Sequence, residues 1–201
     1  DAEPPSPARA RMQFILRFVE ATGLRSAELV SARLAQLRRH RGGWVMAVHG
    51  KGDKTRVVAV PEQARQALEA YLAARQLPSI ERAPEEAPLL ASTADPMEIV
   101  TYSALYKTVK VWLQRAIDAS PLQGRDRELA LRASPHWLRH TFGTRAVERD
   151  VPLEVVQRQL GHADPRTTSR YSRAQLERLQ AAMDRAFGGK QDGLAPGAPG
   201  L

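Results

Sequence analysis

The chain has 201 residues, of which 43% are hydrophobic and 26% charged; this suffices for the core of one domain, and the lack of cysteine excludes disulfides, thiolate catalysis and Cys-based zinc sites. No apolar run is long enough to cross a bilayer and the amino end has no export pattern, which predicts a cytoplasmic protein. The formal charge of +8 and the pI of about 10.4 favour a polyanionic partner, because binding phosphates releases counterions, although a solvated basic surface explains them equally well.

The amino-terminal part of the chain predicts a short linker and two helices. Residues 1–7 are proline-rich and predict a flexible linker. Over residues 8–21 apolar side chains recur at helical spacing, and Gly23 is placed to end that helix. A second, shorter helix is predicted over 26–32.

Two β-rich segments, 44–48 and 55–60, predict a hairpin. Gly50 and Gly52 lie between them and permit positive φ at its tip. This hairpin is the one piece of sheet that the sequence predicts.

The rest of the chain is predicted as helices and loops, so the fold class is mainly α with a small antiparallel β-sheet (α+β). A linker containing Pro and Glu covers 78–88, and residues 188–201 predict a disordered tail because they lack any apolar pattern. The folded domain is therefore placed at 8–187. Helices are predicted over 62–75, 102–119, 135–149, 152–160, 165–171 and 173–187.

Two of these helices begin in a way that suits an anion site. Ser134 and Asp164 each offer an N-cap oxygen and are followed by proline. Free N–H groups and partial positive charge at a helix amino end favour a nearby phosphate. Three of the five histidines lie in 136–140 and at His162, nine positions before Tyr171, which makes this tyrosine a candidate to attack a DNA phosphate.

Four segments carry polar residues in a fixed order before Tyr171. They are Ala-Thr-Gly-Leu-Arg-Ser-Ala-Glu-Leu at 21–29, Gly-Lys-Gly-Asp-Lys-Thr-Arg at 50–56, His-Trp-Leu-Arg-His-Thr-Phe at 136–142 and Leu-Gly-His at 160–162. Together they resemble the tyrosine recombinases, the phage-integrase and Xer-like superfamily, over about residues 10–187. The resemblance implies the catalytic-domain fold of that superfamily. Ala59 departs from it, since many relatives carry proline there.

The resemblance implies six catalytic residues in this chain. The activating residues are Arg25, Lys51, His136, Arg139 and His162, and the nucleophile is Tyr171. Phosphate chemistry supports the two arginines, because guanidinium donors match phosphate oxygens and remain charged as the transition state gathers negative charge.

Proton transfer suggests roles for the other groups. A phenol with a pKa of about 10 needs positive surroundings or a base, and His136 is assigned to help Tyr171 lose its proton. His162 is expected to donate to a non-bridging oxygen. Lys51 at the hairpin tip is the candidate general acid for the leaving 5′ oxygen, with Lys54 as the fallback.

Other residues receive supporting roles. Glu28, one turn after Arg25, is expected to orient an active-site side chain. A structural role with a backbone hydrogen bond is expected for His140. The DNA-binding candidates are Lys54, Arg56, Arg166 and Arg170. Within the segment 136–142, the candidate core residues are Trp137, Leu138 and Phe142.

The main candidates also have purely structural interpretations. Arg25 fits a solvated helix start, and Lys51 and Lys54 fit ordinary turn lysines. Tyr171 fits a partly buried tyrosine of a helical repeat. The occurrence of all four motif segments in this order favours the catalytic interpretation.

The resemblance implies a DNA strand transferase with double-stranded DNA as its partner. A 3′-phosphotyrosyl intermediate retains the energy of the broken ester, so the chemistry needs neither ATP nor metal. A type IB topoisomerase and a DNA-binding module without catalysis are the alternatives.

The last helix adds a hypothesis about assembly. Its apolar stripe consists of Leu176, Leu179, Met183, Ala186 and Phe187. The stripe either packs in its own subunit or, as the resemblance implies, docks on a neighbouring protomer of a homo-oligomer, a tetramer on paired DNA sites. Similar proteins usually carry an amino-terminal DNA-clamp domain, so we expect an excised catalytic fragment of a bacterial or phage-encoded protein.

Overall fold

The computed structural model describes residues 6–50, 55–161 and 173–187, with side chains from residue 179 onward in the last segment. Within these residues the predicted fold class is confirmed: helices surround a three-stranded antiparallel sheet. The α-helices are α1 (Pro7–Thr22), α2 (Ser26–Ser31), α3 (Glu62–Ala74), α4 (Tyr102–Asp118), α5 (Gly124–Leu131), α6 (Pro135–Glu148), α7 (Leu153–Leu160) and α8 (Arg173–Phe187), and the strands are β1 (Leu37–His40), β2 (Gly43–His49) and β3 (Thr55–Val60). None of the described helices has the length and apolar character needed to span a membrane.

The core forms around α1, which packs against α3. The ring of Phe14 is fully buried, 5.0 Å from the ring of Phe18 and 4.9 Å from that of Tyr71. Burying aromatic side chains of this size supplies much of the hydrophobic stabilisation of a domain. The carboxyl end of α1 also contacts α6 through the Glu20–Arg145 ion pair, so the central helix ends next to the helix that carries Arg139.

The sheet contains one strand more than the sequence predicts. β2 pairs with β3 as the predicted hairpin, and β1 pairs with the other side of β2. The side chains of Arg38 and Arg39 are exposed on β1, so this edge strand lacks the apolar alternation that reveals strands. β3 forms the opposite edge, and its backbone is available to elements outside the sheet.

Two local predictions about the helices were wrong. α5 was missed because none of its residues is buried, and a helix without an apolar stripe has no periodic signal. Ser134 precedes α6, but its side chain makes no capping hydrogen bond; Asp164 lies outside the described residues. The predicted linker at 78–88 is irregular as expected, although Ile80 and Ala87 within it are buried.

Candidate active site

The candidate site begins at the turn that joins α1 to α2. Gly23 ends α1 in the left-handed conformation, with a φ of 67°, and its N–H donates to Val19 O. A Cβ at this position would lie 2.8 Å from Phe142 Cδ1 and 2.9 Å from Leu160 Cδ2. The turn therefore requires glycine for both backbone and packing reasons, and it places Arg25 at the start of α2.

We expect Gly23→Ala to destabilise the domain by about 2–4 kcal/mol, because it adds left-handed strain and overpacks two buried side chains. Urea unfolding of the variant and of Gly124→Ala measures the effect. Gly124 is the control, since it also has a positive φ, 52°, but has no atoms within 4 Å of an added Cβ. Equal losses for the two variants would contradict the packing argument.

Arg139 joins the carboxyl ends of two helices. Its side chain is buried, and Nη1 donates to Gly23 O at 2.5 Å while Nη2 donates to Leu160 O at 2.6 Å. These carbonyls lie at the ends of α1 and α7, where the helix dipoles concentrate partial negative charge. Arg139 therefore holds the turn at Gly23 against the end of α7.

Burial and the nearby charges of Arg25 and Arg56 together lower the pKa of Arg139 to about 10, while Glu28 opposes the shift. The guanidinium remains protonated at neutral pH.

Glu28 is the acceptor at the centre of the site. Oε1 accepts from Arg25 Nη1 at 2.7 Å and from Arg56 Nη1 at 2.7 Å; Oε2 accepts from the backbone N of Arg25 at 2.8 Å and from Arg56 Nη2 at 2.8 Å. Burial alone would raise the pKa of Glu28, but the hydrogen bonds and charges of Arg56 and Arg25 outweigh it and lower the pKa to about 2. The carboxylate is ionised and holds both guanidiniums, so the predicted contact with Arg25 is present.

Arg56, predicted as a DNA-binding residue, lies buried in the domain and binds Glu28. Its side chain is only 10% exposed, both terminal nitrogens donate to Glu28, and Nε donates to Gln159 O at 3.2 Å. In the described residues these bonds direct the donors of Arg56 toward Glu28 and the end of α7. In this arrangement Arg56 supports Glu28 from β3.

Gln159 is a site residue that the sequence analysis missed. It is fully buried in α7, and its amide bonds to the backbone of Ala59 and Thr22. A glutamine two residues before a glycine has no chemical signature of its own. The available signal was its place on the buried face of an amphipathic helix, where a polar residue requires partners.

His136 and His140 both lie on the exposed side of α6. The rings of His136 and His140 contact edge to face, with centroids 4.7 Å apart. Among the described residues the ring of His140 has no hydrogen bond to backbone, contrary to expectation. Trp137 is 50% exposed and is not a core residue, whereas Leu138 and Phe142 are buried as predicted.

The remaining predicted site residues lie outside the described part of the chain. They are Lys51, Lys54, His162, Arg166, Arg170 and Tyr171. The structure brings together Arg25, Glu28 and Arg139 next to Gly161, and His162 follows Gly161 directly in the sequence. No group of three or more His, Asp or Glu side chains within residues 6–50, 55–161 and 173–187 is placed to hold a metal ion.

The apolar stripe of α8 packs within its own chain over the side chains that are described. Leu179, Met183 and Phe187 are buried, and the ring of Phe187 stacks on that of Phe142 at 5.4 Å. The guanidinium carbon of Arg149 lies over the ring of Phe187, 5.2 Å from its centre. The described part of the stripe therefore packs inside its own subunit, which is the first of the two interpretations given above.

The comparison with protein families covers nearly the whole folded part of the chain. The profile of the phage integrase family matches residues 1–178. The chain belongs to the phage integrase family. This integrase-family chain is 35% identical over 176 residues to the tyrosine recombinase XerC of Pseudomonas fluorescens and 36% identical to XerC of Pseudomonas syringae pv. syringae. Each alignment covers 88% of this chain and 52% of the relative, so the chain spans about half the length of these relatives.

Solved structures share the fold of this phage integrase domain. The XerH site-specific recombinase bound to its difH substrate matches with a TM-score of 0.58 and 27% identity, over 88% of this chain and 47% of XerH. The integrase from mycobacterium phage Brujita matches with a TM-score of 0.62 and 21% identity, over 92% of this chain and 58% of that integrase. Because its identity is only 21%, the match to the Brujita integrase shows a shared fold and no more.

Proposed function

We propose that residues 8–187 form the catalytic domain of a site-specific DNA recombinase, which cleaves and rejoins DNA strands through a 3′-phosphotyrosyl intermediate. Membership of the phage integrase family and the likeness to XerC recombinases support this function. The XerH structure, which contains the difH substrate of that protein, supports DNA as the partner. These relationships favour recombination over a type IB topoisomerase and over a module without catalysis.

The observation that carries the proposal is that Arg139 binds the carbonyls of Gly23 and Leu160, which places it beside the turn that carries Arg25 and next to Gly161, the residue before His162. The side chain of Arg25 remains 42% exposed while Glu28 holds it, and Arg139 is fixed by the carbonyls of Gly23 and Leu160. Two guanidiniums held in place before substrate arrives suit a phosphate whose negative charge grows in the transition state. We assign both to the non-bridging oxygens of the scissile phosphate.

The chemical step follows from these charges and the remaining assignments. The phenol oxygen of Tyr171 forms a bond to phosphorus as the bond from phosphorus to the 5′ oxygen breaks. His136 takes part in removing the phenol proton, and Lys51, or Lys54 in its place, protonates the leaving oxygen. His162 donates to a non-bridging oxygen. The reverse attack by a 5′ hydroxyl reseals the strand, so the scheme consumes no nucleotide.

The wider assembly is also a proposal. We infer that the whole protein acts on double-stranded DNA in the bacterial cytoplasm as a homotetramer on paired sites, with Lys54, Arg166 and Arg170 among its DNA contacts. Docking of α8 onto a neighbouring subunit would require its apolar stripe to leave Phe142. Of the predicted linker 1–7, Pro7 belongs to α1; the residues before it are still assigned as a linker and 188–201 as a tail.

The proposed function predicts a covalent protein–DNA adduct. Suicide DNA, in which a nick lets the 5′ fragment diffuse away, should trap the full-length protein on its cognate site, recovered by sequencing captured fragments. Denaturing gels and peptide mass spectrometry should place the DNA on Tyr171, and Tyr171→Phe is the matched control that removes only the nucleophilic oxygen. Failure of the full-length protein to form an adduct with that site would refute the enzymatic function.

A further inference from the structure

Gln159 lies next to the last residue of α7 and is fully buried. Its Oε1 accepts from the backbone N of Ala59 at 3.0 Å, and its Nε2 donates to Ala59 O at 2.9 Å and to Thr22 O at 3.2 Å. Both donor hydrogens of the amide and one lone-pair direction of its oxygen are thus used on backbone groups. The side chain ties α7 to β3 and to the last residue of α1.

The contact with β3 imitates the pairing of one more strand. β3 is an edge strand, and Ala59 is paired with Val45 on its inner side. The amide of Gln159 supplies the complementary acceptor and donor to both backbone groups of Ala59, which is fully buried. Without this amide, the N–H and C=O of a buried residue would lose their partner.

The same short segment is held by the arginines of the site. Arg56 donates from Nε to Gln159 O and Arg139 donates from Nη2 to Leu160 O. Gly161 then ends α7 with a φ of 69°, and a Cβ there would lie 2.8 Å from Arg56 Cδ. The last residue before His162 is therefore packed directly against the Arg56 side chain that holds Glu28.

We propose that Gln159 is a positioning residue: by fixing the end of α7 to β3 and α1, it holds the turn at Gly161, which directly precedes His162 in the sequence, against Arg56 and Arg139. This inference rests on the proposed function. Gln159 does not touch the reacting atoms; it acts through the backbone of Ala59, Thr22 and Gly161. Small displacements of a positioned group reduce the rate of a chemical step more than they reduce binding.

The chemistry of the amide yields variants that separate positioning from general stability. Gln159→Met keeps the volume and removes both the donor and the acceptor. Gln159→Glu keeps the shape, but an ionised carboxylate is repelled by the carbonyls of Ala59 and Thr22. A protonated carboxyl donates once and accepts once, as the amide does toward Ala59, and burial raises the pKa of an introduced carboxyl.

The test uses the full-length protein and its cognate suicide DNA under single-turnover conditions. We expect Gln159→Met to lower the rate of adduct formation by about 10–100-fold and to leave the affinity for DNA unchanged. The deficit of Gln159→Glu relative to wild type should shrink as pH falls and the introduced carboxyl is protonated. Gln157→Met, at an exposed position of the same helix, and Leu72→Ala, in the α1–α3 core, are the controls.

Amide hydrogen exchange provides a readout that does not depend on activity. Gln159→Met should accelerate exchange at Gly161 and Ala59 while the amides of α3 exchange as in wild type. Leu72→Ala should instead accelerate exchange in α3. If wild-type protein forms no adduct, the proposed function fails and the exchange pattern alone decides whether Gln159 anchors the turn.

Two results would overturn the inference. One is a rate of adduct formation for Gln159→Met that is no lower than the rate for Leu72→Ala, when the two variants have lost the same amount of Tm. The other is exchange that accelerates equally throughout the domain, because that pattern indicates a general loss of stability rather than local release of the turn.

Discussion

Replacing Arg139 with alanine is expected to reduce strand cleavage by about 10³-fold, because the transition state loses a fixed cationic donor. The variant should also lose stability, since the carbonyls of Gly23 and Leu160 lose the donors that join the ends of α1 and α7. Arg139→Lys should recover only part of the rate, because an ammonium cannot reproduce the planar fork of a guanidinium. Single-turnover adduct formation and Tm, measured on the same preparations, test both effects.

The two effects of Arg139→Ala separate when the charge of the substrate is removed. A methylphosphonate at the scissile position has one neutral substituent in place of a charged oxygen, so it needs less cationic stabilisation. We expect the deficit of Arg139→Ala to shrink on this DNA. An unchanged deficit on both substrates would mean that Arg139 acts only by holding the helix ends together.

Replacing Glu28 with alanine is expected to destabilise the domain by about 3–5 kcal/mol, because it leaves a buried guanidinium without its counter-ion. Arg56 is the group affected most, since both of its terminal nitrogens donate to Glu28. Arg25 and Arg139 would then repel Arg56 without compensation. Urea unfolding measures the loss, and Glu62→Ala in the exposed Glu62–Arg65 pair is the control, for which about 0–1 kcal/mol is expected.

The stabilisation by Glu28 should depend on pH in a defined window. Its pKa is about 2 in the folded protein against an ordinary value of 4.5, so folding favours the ionised form. The contribution is complete above pH 4.5 and is lost as pH falls toward 2. The difference in unfolding free energy between wild type and Glu28→Gln should be constant from pH 7 to 5 and then decrease. A difference that grows on acidification would contradict the ion-pair account.

Sequence reasoning succeeded where a pattern repeats or a set of residues occurs in order. α1 and α4 were predicted to within one or two residues of their observed ends, because each has an apolar stripe with a clear terminator or cap. It failed for α5 and β1, which lie at the surface and bury few side chains. Trp137 was assigned to the core on its residue type, although its position on α6 faces outward.

In the candidate site too, some residues were predicted from the sequence and others were not. Arg25 and Arg139 were predicted from the resemblance to tyrosine recombinases, which phosphate chemistry supports, and Glu28 was predicted because it lies one helical turn from Arg25. Arg56 and Gln159 acquire their roles from partners 28 and 100 residues away in the sequence. No local pattern reveals whether an arginine on a β-strand faces DNA or a buried carboxylate.

The order of the four motif segments, the helical periodicity and the excess of positive charge were enough to predict the family and the fold class, and they point to the chemistry that we propose. Only the tertiary structure decided that Arg56 belongs to Glu28, that Gln159 joins α7 to β3, and that the described part of the α8 stripe packs on Phe142. The reason is physical: periodicity records which face of an element is apolar, whereas hydrogen-bond partners depend on how separate elements meet, and that meeting is set by packing across the whole domain.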